Sequence, residues 1–183
     1  KEGNIHFLGS SLNISDSDLH NNFEKAYRLL KRQASHISHP SRLYTLAWEG
    51  GHQDHDVSNF ICSKLKKYCK VYEFPEYNYF NNKINCNKFI INDDNLTTLN
   101  LTEEEKEFKK NCLKIYKSEK KNLNYININV ESFRPLKDYD YSKPAHSGVL
   151  FYRRFSLFSW HPRVDGDKPE YVCKKITESK IFK

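Results

Sequence analysis

Methionine is missing from all 183 residues, and the chain opens on Lys1. A translation product begins with methionine, so the sequence reads as a processed, trimmed or partial chain. Long apolar runs are missing as well. Nothing approaches the ~20 residues that cross a bilayer, and the opening KEGNIHFLGSS has no cleavage site of small residues. Neither a membrane span nor a secretory leader is expected, and a cytoplasmic location follows from that. Cysteine is limited to Cys62, Cys69, Cys86, Cys112 and Cys173, an odd set without C-x-x-C spacing. That pattern argues against a disulfide framework or a cysteine zinc site and leaves reduced, mostly buried thiols. No internal repeat and no domain-breaking linker divides the chain, so residues 1–183 are expected to form one domain.

What the chain does have is positive charge and aromatics. The net charge is +7, which favours anionic partners in general. The lysines are spread through KLKKYCK, EKEFKK and KSEKK, as on the wet faces of helices. No RNP, zinc-finger or helix-turn-helix signature accompanies them, so nucleic acid is not an expected partner. Twelve tyrosines and twelve phenylalanines carry much of the apolar content, which marks a globular chain rather than a disordered one.

Hydrophobic spacing orders the elements. IHFLG (Ile5 to Gly9) predicts a short strand. Leu19, Phe23, Ala26, Leu30 and Ile37 recur at steps of three, four or seven and predict a helix from Ser15, closed by Pro40. Ser15 and Asp16 are its capping residues, and Asp18 suits the positive end. RLYTLAW (Arg42 to Trp48) predicts an apolar strand. A second helix follows, with Val57, Phe60, Ile61, Leu65 and Tyr68 on one face, and then a strand KVYEF ended by Pro75. This β-α-β-α-β order predicts a three-layer α/β fold with a mostly parallel sheet. Residues 75–101 predict a long loop with a short hairpin around KFIIN. Thr102-x-x-Glu105 is a capping box that starts a third helix with Phe108, Cys112, Ile115 and Tyr116 on one stripe. VESFRPLKDYDYSKPAH predicts an extended, turn-rich segment, GVLFYRRF (Gly148 to Phe155) a late strand, and the tail from about residue 156 an irregular segment.

The chemistry concentrates in WEGGHQDHD (Trp48 to Asp56), placed where an apolar strand ends and a helix begins. Ligands collect at the carboxyl ends of strands in open α/β sheets. Gly50 and Gly51 let the backbone turn sharply there. Imidazole and carboxylate are zinc ligands, and a catalytic zinc uses three protein ligands plus water. His52, Asp54 and His55 can supply part of that set. A solvated polar loop remains the alternative on spacing alone.

EGGHQDHD after an apolar strand resembles the second signature of the PIG-L/LmbE-like N-deacetylases. These are Rossmann-like α/β zinc enzymes that remove acetyl from N-acetylglucosamine-type sugars. FLGSS, P-x-x-L-Y-T-L-A-W-E-G-G-H, YEFPEYN, ESFRPLKDYDYSKPAH and GVLFY extend the similarity from about Ile5 to Cys173. The resemblance implies Zn²⁺, with His55 as the third zinc ligand. It gives His52 the role of protonating the leaving amine or stabilising the oxyanion. Asp54 matches the carboxylate that hydrogen-bonds and charges that histidine. His146 matches a recurrent histidine placed near the pocket. Arg134, Tyr139 and Asp140 match positions that shape the pocket or touch substrate, and Trp48 belongs to the sugar pocket.

One departure is large. The family's first signature, A-H-P-D-D-E, supplies two zinc ligands and the base, and it is absent here. His39-Pro40 is followed by Ser41 and Arg42, and His161-Pro162 by Arg163 and Val164. The expectation is therefore the distal part of a zinc-dependent hydrolase acting on a small amino-sugar conjugate. A second chain or segment would carry H-P-D-D-E and complete a sheet that otherwise exposes an apolar edge. The alternative is an inactive relative that binds carbohydrate or acts as a scaffold.

Overall fold

The structure is a computed structural model and describes residues 6–36, 42–91, 93–117, 123, 126–153 and 168–181. In chain order the helices and strands are α1 (Leu8–Leu12), α2 (Leu19–His36), β1 (Arg42–Leu46), α3 (Gln53–Ser63), β2 (Lys70–Phe74), β3 (Tyr77–Phe80), β4 (Lys83–Cys86), β5 (Thr97–Asn100), α4 (Glu103–Ile115), β6 (Val130–Pro135) and α5 (Pro169–Thr177).

β1 and β2 run parallel, with Arg42 opposite Lys70 and Leu46 opposite Phe74, and α3 makes the crossover between them. This is the unit that the apolar strands and the intervening helical spacing predicted. β6 then pairs antiparallel with β2, and β5 antiparallel with β6, giving the order β1-β2-β6-β5. The fold is thus α/β with a mixed sheet of four strands. The described sheet is not mostly parallel, because only the β1–β2 connection carries a crossover helix that returns the chain in the same direction.

Four further expectations change. IHFLG does not form a strand in its described part. Leu8–Leu12 is a helical turn and a half, and Asn13 in the left-handed region (φ 52°) closes it. The Ser11 amide bonds the Phe7 carbonyl locally, so these backbone groups are spent without a sheet partner. Residues 75–101 hold more order than a loop: β3 and β4 form a hairpin turned by Asn81 and Asn82, both at positive φ, and β5 joins the main sheet. Asparagine tolerates the left-handed region, which is why an Asn-rich stretch without hydrophobic period still makes a tight turn. KFIIN lies after that hairpin. Finally, Phe151–Arg153 is a single 3-10 turn and not a strand. Past the undescribed residues the tail forms α5, whose Val172, Cys173 and Ile176 are buried. His161 and Pro162 lie outside the described residues.

The main core lies among helices. Phe23 and Ala26 of α2 meet Val57, Phe60 and Ile61 of α3 and Val172, Cys173 and Ile176 of α5, with Trp48 and Tyr141 at one side. Burying a side chain such as Phe60 or Ile176 completely contributes roughly 2–3 kcal/mol. α3 also packs on β1 and β2. Asn59 bolts it there: its amide donates to the Leu46 carbonyl at 2.8 Å and to Glu73 at 3.0 Å, and its oxygen accepts the Tyr141 hydroxyl at 2.7 Å. Val71, Glu73, Ser132 and Arg134 are buried. Strand side chains alternate, so Tyr44, Tyr72 and Phe133 project from the opposite face. Tyr44 and Tyr72 stack at 5.3 Å, and Tyr44 remains 44% exposed. All five cysteines are free thiols, Cys62 and Cys173 buried.

Candidate functional site

The site grows from the turn between β1 and α3. Gly50 has φ +69°, a conformation that glycine adopts freely, and a Cβ there would meet the Leu150 side chain at 2.6 Å. Gly51 passes so close to the Tyr77 carbonyl oxygen that a Cβ would overlap it. Asp56 then pins the turn: one carboxylate oxygen accepts the Glu49 and Gly50 amides at 3.1 and 3.0 Å. Burial pushes the Asp56 carboxyl up to about 7 against those amides. His52 is the N-cap of α3, and its Nδ1 accepts the Asp54 amide at 3.2 Å. That bond leaves the proton of a neutral His52 ring on Nε2.

Three successive motif residues grip one distant residue, Ser17. The Asp54 carboxylate accepts the Ser17 amide at 2.8 Å and the Leu19 amide at 3.0 Å, capping the start of α2. The Gln53 side-chain amide donates to the Ser17 carbonyl. The Ser17 hydroxyl lies 3.3 Å from His52 Nε2. Ser17 itself holds φ +64°. A non-glycine residue in that region costs on the order of 1 kcal/mol, and the surrounding bonds hold it there.

The expected bond from the Asp54 carboxylate to the His52 ring is therefore replaced by bonds to α2. Burial raises the Asp54 carboxyl above its ordinary value, opposed by the Leu19 amide, the His52 charge and the Ser17 amide. Asp16, His52 and Asp54 still place one ligand atom each within 4.8 Å of one another.

His55 sits one step along, its ring 5.2 Å from that of His52 and 5.4 Å from Tyr77. Its Nδ1 faces a Glu76 oxygen at 3.5 Å, which leaves Nε2 for a ligand. Burial, with His52 beside it, pushes the His55 imidazole down to about 3, so the ring is neutral. Neutral imidazole is the form that binds a metal.

Behind His55 lies an acidic group to which sequence spacing assigned no role. Glu49 is 3% exposed and accepts the Glu76 amide at 2.9 Å and the Asn78 side chain at 3.0 Å. Burial, with the Asp56 and Glu76 carboxylates, pushes Glu49 up to about 8. Its unfolded value is 4.5, so its contribution to stability is full below pH about 4.5 and is lost as pH rises toward 8. Stability is expected to fall by about 2–3 kcal/mol between pH about 5 and 7 from this group, at ~1.4 kcal/mol per unit. Glu49→Gln should flatten that slope in urea titrations across the range. An unchanged slope would mean that Glu49 ionises normally in the folded chain. Glu49, Glu76 and Asp56 all fall inside quoted motifs, yet only the tertiary approach of Glu76 to Glu49 and of Tyr77 to Gly51 reveals them as one group.

The remaining expected residues divide. Trp48 is buried at 6% exposure, edge-on to Tyr141 at 4.9 Å, and belongs to the core rather than to an open sugar surface. Arg134 is equally internal. It donates to Glu73 at 2.7 Å, to the Ile91 carbonyl at 2.6 Å and to the Tyr139 hydroxyl at 3.1 Å, and it lies 3.8 Å over Phe89. The Tyr139 hydroxyl donates to the same Glu73 oxygen at 2.7 Å. Asp140 is exposed and accepts the Ser142 amide at 3.1 Å while pairing with Lys143 at 2.9 Å. His146 packs on Phe80 at 5.3 Å; its Nδ1 accepts the Gly148 amide, and its buried Nε2 has no partner among the described residues. The β3–β4 hairpin thus touches both His55, through Tyr77, and His146, through Phe80. Among the described residues no hydrogen bond or ring contact joins His146 to the His52–His55 pair.

Comparison of the chain with family models, with curated proteins and with solved structures finds no match. No helix among the described residues is long and apolar enough to cross a membrane.

Proposed function

We propose that this chain is the distal part of a zinc-dependent N-deacetylase of the PIG-L/LmbE-like type, acting on an N-acetylglucosamine-type conjugate. The observation that carries the reading is the pairing of His52 and His55 at the carboxyl end of β1, 5.2 Å apart, with Glu76 facing His55 Nδ1. A carboxylate on one imidazole nitrogen directs the other toward a metal, and this fits zinc at His55 Nε2. Asp16, whose carboxylate is exposed, adds an oxygen donor beside His52 and Asp54. Zinc there would supply Lewis acidity toward an amide carbonyl and a water acidic near neutrality.

The chain's own residues do the rest. His52 presents Nε2–H as a donor to a developing oxyanion or to the leaving amine. Asp54 also locks α2 against α3, so the site is held by two helices. The general base and two metal ligands are left to a segment carrying H-P-D-D-E. The unpaired outer side of β1 and the open Tyr44–Tyr72–Phe133 face, among the described residues, support room for such a segment. A mostly parallel, Rossmann-like sheet would result from strands added there. The competing reading, a sugar-binding or scaffold protein, loses Trp48 as a stacking surface, because that ring lies in the core.

The test is acetate release from a panel of N-acetylglucosamine conjugates by the full protein with Zn²⁺. His55→Ala is expected to lose bound zinc by elemental analysis. His52→Ala should keep zinc and lose about 10²–10⁴-fold in kcat. Equal zinc retention in both variants would overturn the assignment within the motif, and no release together with no zinc would overturn the enzyme reading.

A further inference from the structure

Lysine runs that look like separate wet helix faces in the sequence converge in space. One groove of about 690 Å³ is lined by Arg28 and Lys31 of α2, by Lys64, Lys66 and Lys67 just past α3, and by Lys180 after α5. Its volume lies in the range of small-molecule sites. Six cations line it against a single carboxylate, Glu24, which is paired with Arg28 at 3.5 Å. Lys66 is paired with Asp138 at 2.7 Å. Lys31, Lys67 and Lys180 form no ion pair among the described residues, and both Lys31 and Lys180 are exposed. Tyr27 and Ile181, which pack against the core, give the groove an apolar floor, and Ser63 adds a hydroxyl.

The C-terminal ends of α3 and α5 lie here, and a helix end carries about −0.5 charge. Two such ends offset about one cation and explain why some lysine gathers at these termini. With Glu24, and with Asp138 on Lys66, they leave an excess of about three positive charges. Like charges this close repel within the ~8 Å screening length of physiological salt, so the arrangement raises the energy of the free chain. Burial already lowers the Lys64 ammonium from its ordinary value. An anion carrying several charges relieves both costs.

We infer that this groove, at the opposite end of α3 from the histidine pair, binds a small ligand bearing two or more phosphate groups. The tyrosine and isoleucine floor accommodates an apolar or ring portion between them. The inference is independent of the deacetylase reading.

Isothermal titration of the full protein with inorganic tripolyphosphate at about 150 mM salt tests it, with expected saturable binding of one ligand per chain. Lys31→Glu with Lys180→Glu should weaken binding at least about tenfold. Lys83→Glu with Lys88→Glu makes the same charge change on exposed lysines far along the chain and should weaken it less than about threefold. Lys31→Gln with Lys180→Gln gives a milder version should the charge reversal perturb folding. Equal loss in the two charge-reversed variants, or no saturable heat, would overturn the site in favour of diffuse attraction by net charge. Sedimentation with phosphatidylcholine vesicles containing phosphatidic acid separates the sources. Vesicle binding lost on the groove substitutions identifies a lipid headgroup, and tripolyphosphate binding alone identifies a free phosphorylated ligand.

Discussion

Gly51→Ala is expected to unfold much of the chain's stability, by about 3 kcal/mol or more. The new Cβ overlaps the Tyr77 carbonyl oxygen, which belongs to backbone and cannot rotate away. Moving it means moving the strand that begins at Tyr77, whose ring packs on both His55 and Phe151 at 5.4 and 4.7 Å. The Glu76 amide that Glu49 accepts would shift with it. The damage therefore reaches the site as well as the fold. Urea denaturation with far-UV circular dichroism measures it. Gly148→Ala is the control, because its Cβ meets only His146 ring atoms, at 3.1 and 3.4 Å. A side chain gives way where a carbonyl does not, so this variant should cost less than about 1 kcal/mol. Equal costs at the two positions would show that the Tyr77 strand is free to move.

Arg134→Met is the second large effect. Glu73 is fully buried, and Arg134 supplies its cation at 2.7 Å. Removing one partner of a buried pair costs about 3–5 kcal/mol, because the other charge is stranded. The loss is deepened here by the Tyr139 hydroxyl and the Ile91 carbonyl, both of which lose a donor. Adding Glu73→Leu to Arg134→Met is expected to restore much of the stability, since apolar replacement of a whole buried pair is often close to neutral. Denaturant midpoints of the two single variants and the double variant measure the coupling. A single variant within about 1 kcal/mol of the parent would mean that Glu73 reaches water. The result also separates roles: Arg134 as a clasp between β2 and β6 loses stability, whereas a substrate contact would lose affinity alone.

Much of the local structure was legible before any tertiary contact. The Thr102–Glu105 capping box forms as spelled, with the Glu105 amide on the Thr102 hydroxyl and the Glu105 carboxylate on the Thr102 amide. The β1–α3–β2 unit follows from two apolar strands and a helical stripe. His52, Asp54 and His55 stand together because they occupy one turn and a cap. Sequence reading failed where the deciding interaction joined distant residues. The tail hid α5 because its apolar stripe, Val172, Cys173 and Ile176, is short and follows a polar run. Trp48 and Arg134 carry side chains common in binding sites, and no spacing distinguishes a stacking surface from a buried edge.

The sequence by itself determined the turn at Gly50 and Gly51, the helix that starts at Gln53 and the presence of two imidazoles and carboxylates in that first turn. Backbone sterics and hydrogen bonds spanning a few residues are enough for each. Only the tertiary structure decided what those groups face. It directed the Asp54 carboxylate to Ser17 and Leu19, placed Glu76 beside His55, paired Arg134 with Glu73, and turned β6 and β5 antiparallel to the strands before them. The reason is physical: a buried charge or unpaired amide costs more than local preference can supply. The partner is therefore whichever group the packing of distant elements brings within reach.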